Sequence, residues 1–173
     1  LIVSTYDGEA LARAALQLRS DGIPIDGVIA MCADVPLSAA KVAQALGLRG
    51  LSEQSALWVA DKLLMKDRLA AQGGPIPKYR PVFSPNEAAD CAAEVGLPFI
   101  IKPVDSRGAR GVQLVESTDQ FFAAYEIAKA ESPTGRVMVE EYLQGPQFST
   151  ETLIENGHCH TLGFSDRNYE WLE

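Results

Sequence analysis

The stretch Pro98-Phe-Ile-Ile-Lys-Pro-Val-Asp-Ser-Arg-Gly-Ala-Arg-Gly-Val-Gln-Leu-Val-Glu116 places a lysine inside an apolar strand and follows it at once with a glycine-rich turn, a combination suited to holding nucleotide phosphates. Phe99, Ile100 and Ile101 read as one buried strand and residues 112–115 as a second, so the polar run 105–111 must turn between them as the tip of a β-hairpin. Gly108 and Gly111 admit backbone conformations closed to other residues, which lets N–H groups point at phosphate oxygens while Ser106 adds a hydroxyl. Lys102 lies just before the turn. An ammonium group in an apolar strand costs on the order of several kcal/mol unless an anion compensates it, and a polyphosphate would do so. The alternative is a surface hairpin whose lysine reaches water along its own aliphatic stem.

Two further groups could converge on the same ligand. Lys62 and Lys66 are four apart on a helix, so they share a face and repel unless a counter-charge joins them; a common anion would serve, and so would Asp61 and Asp67 on a solvated face. In Val137-Met-Val-Glu-Glu-Tyr-Leu143, Glu140 and Glu141 alternate across a strand, so one of them faces inward and needs a partner. An adenine amino group, ribose hydroxyls or an ordinary lysine would each fit. Tyr142 and Leu143 run into Gln144-Gly-Pro146, where the chain must bend. His158 and His160 share a strand face, but no third ligand stands at a recognisable spacing, and no metal site is expected from them.

The elements that must position these groups begin with an α/β pattern. Residues 1–3 read as a strand, Asp7 as the cap of a helix over 8–19, residues 27–31 as a second strand, Pro36 as the first turn of a helix to Leu46, and 48–51 as a return toward the sheet. A long helix over 53–72 follows, with Leu57, Leu64 and Leu69 available for its apolar face. Residues 78–82 read as a strand, and Ser84-Pro-Asn-Glu87 as a capping box that starts a helix. The lysine hairpin comes next, then a second capping box at Ser117-Thr-Asp-Gln120 with a helix to Ala130 and a strand over 136–143. Two strands, 148–154 and 158–164, flank the turn signal Glu155-Asn-Gly157.

The chain has 173 residues, 47% of them hydrophobic and 22% charged, which suits a domain with a substantial core. A net charge of −8 disfavours nucleic acid and anionic membranes as partners, so any anion site must be local. Cys32, Cys91 and Cys159 form no Cys-x-x-Cys pair, and no apolar run approaches the ~18 residues of a membrane span, so a reducing cytoplasm is the expected location. The chain opens at Leu1 in a strand-like run and stops at Glu173 in a polar segment, which reads as part of a longer protein.

Taken together, Asp61-Lys62, Met65-Lys66, Ile100-Ile-Lys-Pro103, residues 106–112 and Val139-Glu-Glu-Tyr-Leu-Gln-Gly-Pro-Gln-Phe-Ser-Thr-Glu151 resemble the ATP-grasp superfamily of ligases, among them biotin carboxylase, carbamoyl-phosphate synthase, D-alanine–D-alanine ligase and amino-acid ligases. The resemblance implies an α/β fold in four parts: a partial pre-ATP-grasp domain (1–51), a linking helix (52–74), a small α+β lid subdomain (75–133) and the start of a large antiparallel-sheet subdomain (134–173). It also implies ATP with Mg2+ as cofactors, and small-molecule carboxylate and amine substrates joined through an acylphosphate. By the same resemblance Lys62 or Lys66 and Lys102 bind phosphates, and the loop with Ser106, Gly108 and Gly111 closes over them. Glu140 meets the adenine amino group, and Glu141, Tyr142 and Leu143 border the base. Gln147 stands where many members carry the ribose-binding glutamate, with Glu151 as the alternative. The metal-holding carboxylates of the superfamily lie C-terminal of the hinge, and nothing after Asp166 supplies them, so neither a metal ligand nor a catalytic residue is assigned. Oligomeric state is left open between monomer and homodimer. Two other readings stay open, a non-catalytic ATP-binding module and an α/β domain that binds no nucleotide.

Overall fold

The computed structural model describes residues 2–31 and 34–167; the expectations that touch Leu1, Cys32 and Glu173 lie outside them. The chain forms two compact units, Leu1–Tyr142 and Leu143–Glu173. None of the described helices is long and apolar enough to cross a membrane.

Helix α1 (Gly8–Ser20) starts as expected, with Asp7 Oδ1 accepting the Ala10 N–H at 2.9 Å, and α2 (Pro36–Ala45) starts on its proline. The strands expected at 1–3, 27–31 and 48–51 do not form a ladder among the described residues. Among the described residues no strand lies beside these segments, and short apolar stretches gain too little alone to hold a sheet together. Ile2 and Ile29 accordingly remain exposed, and residues 28–31 line a cavity of about 420 Å³ against α1 and α2.

The single helix expected over 53–72 is two, α3 (Glu53–Ala60) and α4 (Lys62–Ala71), because Asp61 between them is extended at φ −116°, ψ 113°. Asp61 ends α3 and caps α4, its Oδ1 accepting the Leu64 N–H at 2.9 Å. The break also changes which face is buried: α4 turns Leu63 and Lys66 inward, whereas Leu57, Leu64 and Leu69 stay partly exposed.

Four antiparallel strands follow, β1 (Tyr79–Val82), β2 (Phe99–Pro103), β3 (Gln113–Val115) and β4 (Val137–Glu141), in the spatial order β1-β4-β2-β3. β2 and β3 pair as the expected hairpin. β4, expected to open a new subdomain at residue 134, lies instead between β1 and β2 in this sheet. Alternation then divides the side chains. Phe99, Ile101, Val137 and Val139 join Cys91 of α5 (Ala88–Glu94) and Phe121, Ala124, Tyr125 and Ala128 of α6 (Phe121–Ala130) in the main core. On the opposite face Met138, Tyr79 and Val104 meet Leu63 of α4 in a smaller cluster.

The capping box expected at residues 84–87 is only half made. Glu87 Oε1 accepts the Ser84 N–H at 2.7 Å, but Ser84 Oγ takes the Asn86 N–H in a turn, so α5 begins later with Glu87 at its N-cap. At Ser117 the expected box is present, and a 3-10 turn, Thr118–Gln120, leads into α6.

The second unit is a hairpin of β5 (Phe148–Glu155) and β6 (His158–Asp166), with Asn156 and Gly157 at φ 50° and 79° in the predicted two-residue turn.

Phe121 is fully buried, edge-on to Phe99 with ring centroids 6.0 Å apart and stacked on Tyr125. Phe121→Ala should therefore cost about 3–5 kcal/mol of unfolding free energy in denaturant titration; a loss under about 1 kcal/mol would show that this core is not the one that holds the unit together.

Candidate functional site

On the sheet face that carries α4, Glu140 stands directly opposite Tyr79 and Ile100, and Lys102 opposite Met138. Glu140 and Lys102 are thus diagonal neighbours on adjacent strands. Lys102 Nζ donates to Glu140 Oε1, while Lys66 Nζ, arriving from α4, lies 2.8 Å from Oε2. All three side chains are largely buried, Lys66 most of all with 7% exposure. Burial alone would raise the Glu140 pKa, but the two ammonium groups outweigh it and hold the carboxyl below its ordinary range. Of the partners open to Glu140 in the sequence, the structure supplies lysine, twice over.

Asp61 and Asp67 are engaged elsewhere. Asp61 Oδ2 pairs with Arg136 Nη1, and Asp67 Oδ1 accepts the Tyr79 hydroxyl at 2.6 Å. Burial and that bond push the Tyr79 pKa up to about 12, which keeps the hydroxyl a donor, and Lys66 Nζ sits 5.4 Å from the centre of the same ring.

Lys62, one turn before Lys66, faces the glycine loop. Its ammonium donates to Ser106 O at 2.7 Å and to Val104 O at 3.3 Å, and burial together with the charge of Lys102 lowers its pKa. The loop itself has buried roots and an exposed tip at residues 108–110. Gly111 has φ +71°, and a Cβ there would lie 2.8 Å from Glu131 Cβ and 2.9 Å from Pro103 Cγ; Gly108, at φ +64°, faces open space. Ser106 Oγ is buried with no hydrogen-bond partner among the described residues, an orphaned hydroxyl at the loop's entry. Lys62, Ser106, Arg107, Gly108 and Arg110 line a cavity of about 330 Å³.

Sequence reasoning missed three supports of this loop. Asp105 accepts from Ser132 Oγ at 2.6 Å and Thr134 Oγ1 at 2.5 Å; burial raises its pKa, but these bonds prevail and lower it. Arg107 pairs with Asp34 at 2.9 Å and lies over the Tyr6 ring, and Arg136 pairs with Asp61. A polar residue at each root of a turn was the only available signal, and it does not name its partner.

Glu141 turns to the other side of β4, where Oε2 accepts the Lys78 N–H at 3.2 Å; Tyr142 ends this unit. The first unit thus brings together Lys62, Lys66, Lys102, Ser106, Gly108, Gly111 and Glu140. Leu143, Gln147 and Glu151 belong to the second unit, where Gln147 O accepts the Arg167 N–H at 2.9 Å and Glu151 adjoins a bulge in β5. Among the described residues no group of three or more His, Cys, Asp or Glu side chains could hold a metal ion.

The chain superimposes on the L-amino acid ligase of Bacillus licheniformis with a TM-score of 0.74 and 24% identity, over 95% of this chain and 38% of that one. It superimposes equally well, TM-score 0.74 at 20% identity over 93% of this chain and 37% of that one, on the biotin carboxylase domain of Hydrogenobacter thermophilus 2-oxoglutarate carboxylase, a structure containing MgADP, ADP and bicarbonate. The fold is that of the ATP-grasp ligases. Residues 61–161, more than half of the chain, match the model of the carbamoyl-phosphate synthase L chain ATP-binding domain, and the chain belongs to that family. Cyanophycin synthetase of Geminocystis herdmanii is 37% identical over 99 residues, which cover 56% of this chain and 11% of that protein. The chain spans less than a third of the length of the curated relatives it matches.

Glu140→Gln would leave two buried ammonium groups without their counter-charge, at a cost of about 3 kcal/mol at neutral pH. Because the folded carboxyl is held below its ordinary value of 4.5, the stabilisation is complete above that value and fades as pH falls through the lowered one. Unfolding free energy measured from pH 3 to 7 should therefore show a shallower acid limb in the variant; parallel limbs would mean that the pair contributes nothing.

Proposed function

We propose that this chain is the ATP-binding part of an ATP-dependent carboxylate–amine ligase. What supports the reading beyond family membership is one observation: the ammonium groups of Lys66 and Lys102 share a single carboxylate, beside a glycine loop whose buried Ser106 hydroxyl has no hydrogen-bond partner among the described residues. Two cations against one anion leave a local excess of positive charge in a protein of net charge −8, which suits a polyphosphate.

In this reading Lys102 and Lys62 or Lys66 hold phosphate oxygens, and the loop from Ser106 through Gly108 to Gly111 covers the phosphates with its N–H groups. Glu140, Glu141 and Tyr142 border the adenine. The γ-phosphate activates a substrate carboxylate as an acylphosphate, an amine displaces phosphate, and ADP and phosphate leave. This chain's part is to position the nucleotide and neutralise its charge. Magnesium accompanies ATP in this reading, bound through the phosphates, since among the described residues no group of three or more His, Cys, Asp or Glu side chains could hold a metal ion alone.

Lys102→Ala should weaken Mg-ATP binding about tenfold to a hundredfold in calorimetric titration, the scale of one lost charge-assisted contact. Wild-type affinity in a folded Lys102→Ala variant would remove that residue from the phosphate site. Binding without ADP release across a panel of carboxylate and amine pairs would favour the non-catalytic module instead.

A further inference from the structure

We propose that Lys66 is a positioning residue that acts through Glu140, setting the carboxylate that borders the adenine, and is not itself a phosphate ligand. Two lysines one turn apart on α4 read as equivalent from sequence, yet the structure gives them different surroundings. The N–H of Lys62 donates to Val104 O at 3.1 Å, which sets the first turn of α4 against the glycine loop, and Lys62 lines the cavity of about 330 Å³ together with the loop residues. Lys66, on the next turn, does not line that cavity. It points to the sheet.

There its ammonium is taken up from two sides. Nζ lies 2.8 Å from Glu140 Oε2 and 5.4 Å from the centre of the Tyr79 ring. Tyr79 stands opposite Glu140 on β1, and its hydroxyl donates to Asp67 Oδ1 at 2.6 Å, so the ring is pinned by the residue that follows Lys66 on the helix. The Lys66 side chain is 7% exposed, against 16% for Lys102. A phosphate would have to draw a cation with almost no free surface away from both the ring and the carboxylate, and Glu140 would lose one of its two counter-charges.

The two oxygens of Glu140 are held differently. Lys102 donates to Oε1, whereas Oε2 is buried beside Lys66 with no aligned hydrogen bond among the described residues. Lys66 thus directs Oε2 by charge and leaves its lone pairs able to accept from an amino group of a ligand. The groups beside the Glu140 carboxyl are Lys66 from α4, Lys102 from β2 and Tyr79 from β1. Without the Lys66 charge a one-to-one pair with Lys102 remains, so the site stays balanced while the carboxylate loses a guide.

Only the effect on affinity rests on the nucleotide reading; the hold on Glu140 does not. The test compares the intact protein with Lys66→Met and Lys66→Gln, following the Glu140 carboxyl by carbon NMR through a pH titration without nucleotide, and affinity for Mg-ATP and for adenosine by calorimetry. In Lys66→Met the carboxyl should titrate at higher pH than in the unaltered protein, since one of the two ammonium groups that hold it low is gone. Affinity for Mg-ATP and for adenosine should fall together, about tenfold each, because the disturbed contact is at the base. Lys66→Gln keeps a donor toward Oε2 and should recover part of both affinities while the carboxyl still titrates high. Mg-ATP affinity lost with adenosine affinity intact would make Lys66 a direct phosphate ligand and overturn the proposal, as would an unmoved Glu140 titration or no change in either affinity. Should adenosine bind too weakly to titrate, the preference for Mg-ATP over Mg-GTP replaces it: a misplaced Glu140 narrows that preference, and an unchanged preference with both nucleotides weakened would equally overturn the assignment. Should Lys66→Met not fold, Lys66→Gln carries the same readouts, with a raised carboxyl titration and matched losses expected and an unmoved titration fatal. If the unaltered protein binds no Mg-ATP, the nucleotide reading fails by itself, and the Glu140 titration still decides whether Lys66 sets that carboxylate.

Discussion

A lysine can be buried in a protein core only if something anionic goes in with it, and the placement of α4 depends on that constraint. Glu140 accepts Lys66 from the helix and Lys102 from the neighbouring strand, so one carboxylate ties α4 to the middle of the sheet. The apolar contact around Leu63, Met138, Val104 and Tyr79 is small and would not by itself fix the helix's rotation. With Lys66 held, Lys62 one turn earlier can only face the loop, and the loop's entry is placed in consequence.

Stability is unevenly distributed along the loop. At one root Val104 and Ser106 are buried and bonded to Lys62; at the other, Gly111 fits against Pro103 and Glu131 with no room for a side chain. Residues 108–110 between them are exposed. The exposed part of this glycine-rich turn is thus a short span whose ends are held by packing and hydrogen bonds. Such an arrangement lets a few N–H groups adapt to a ligand without unsettling the sheet.

Much of this was legible in the sequence because it is written in local patterns. Alternation in Phe99–Pro103, the Asn-Gly turn at residues 156 and 157 and the cap at Asp7 each specify their own structure within a few residues. The lysine, the glycine turn and the glutamate strand were likewise identifiable as chemistry. What stayed hidden depends on partners distant in the chain. The helix break at Asp61 is stabilised by Arg136 and Val104, 75 and 43 residues away, and nothing near Asp61 announces it. For the same reason Lys62 and Lys66 could not be told apart, and Ser84-Pro-Asn-Glu87 read as a helix start although its Glu87 also serves Arg80. The N-terminal segments read as strands on composition alone, but strand formation needs a neighbour that composition does not provide.

Strand β1 borders the four-stranded sheet, and Pro81 lies within it. Lys78 O accepts the Glu141 N–H, so residues 78, 80 and 82 direct their backbone groups toward β4, while Tyr79 and Pro81 direct theirs outward. The one position that cannot donate is thus on the open side, where its missing N–H costs the sheet nothing and interrupts the row that a foreign strand would need. The same residue type that would spoil an inner strand makes this border a poor template for aggregation.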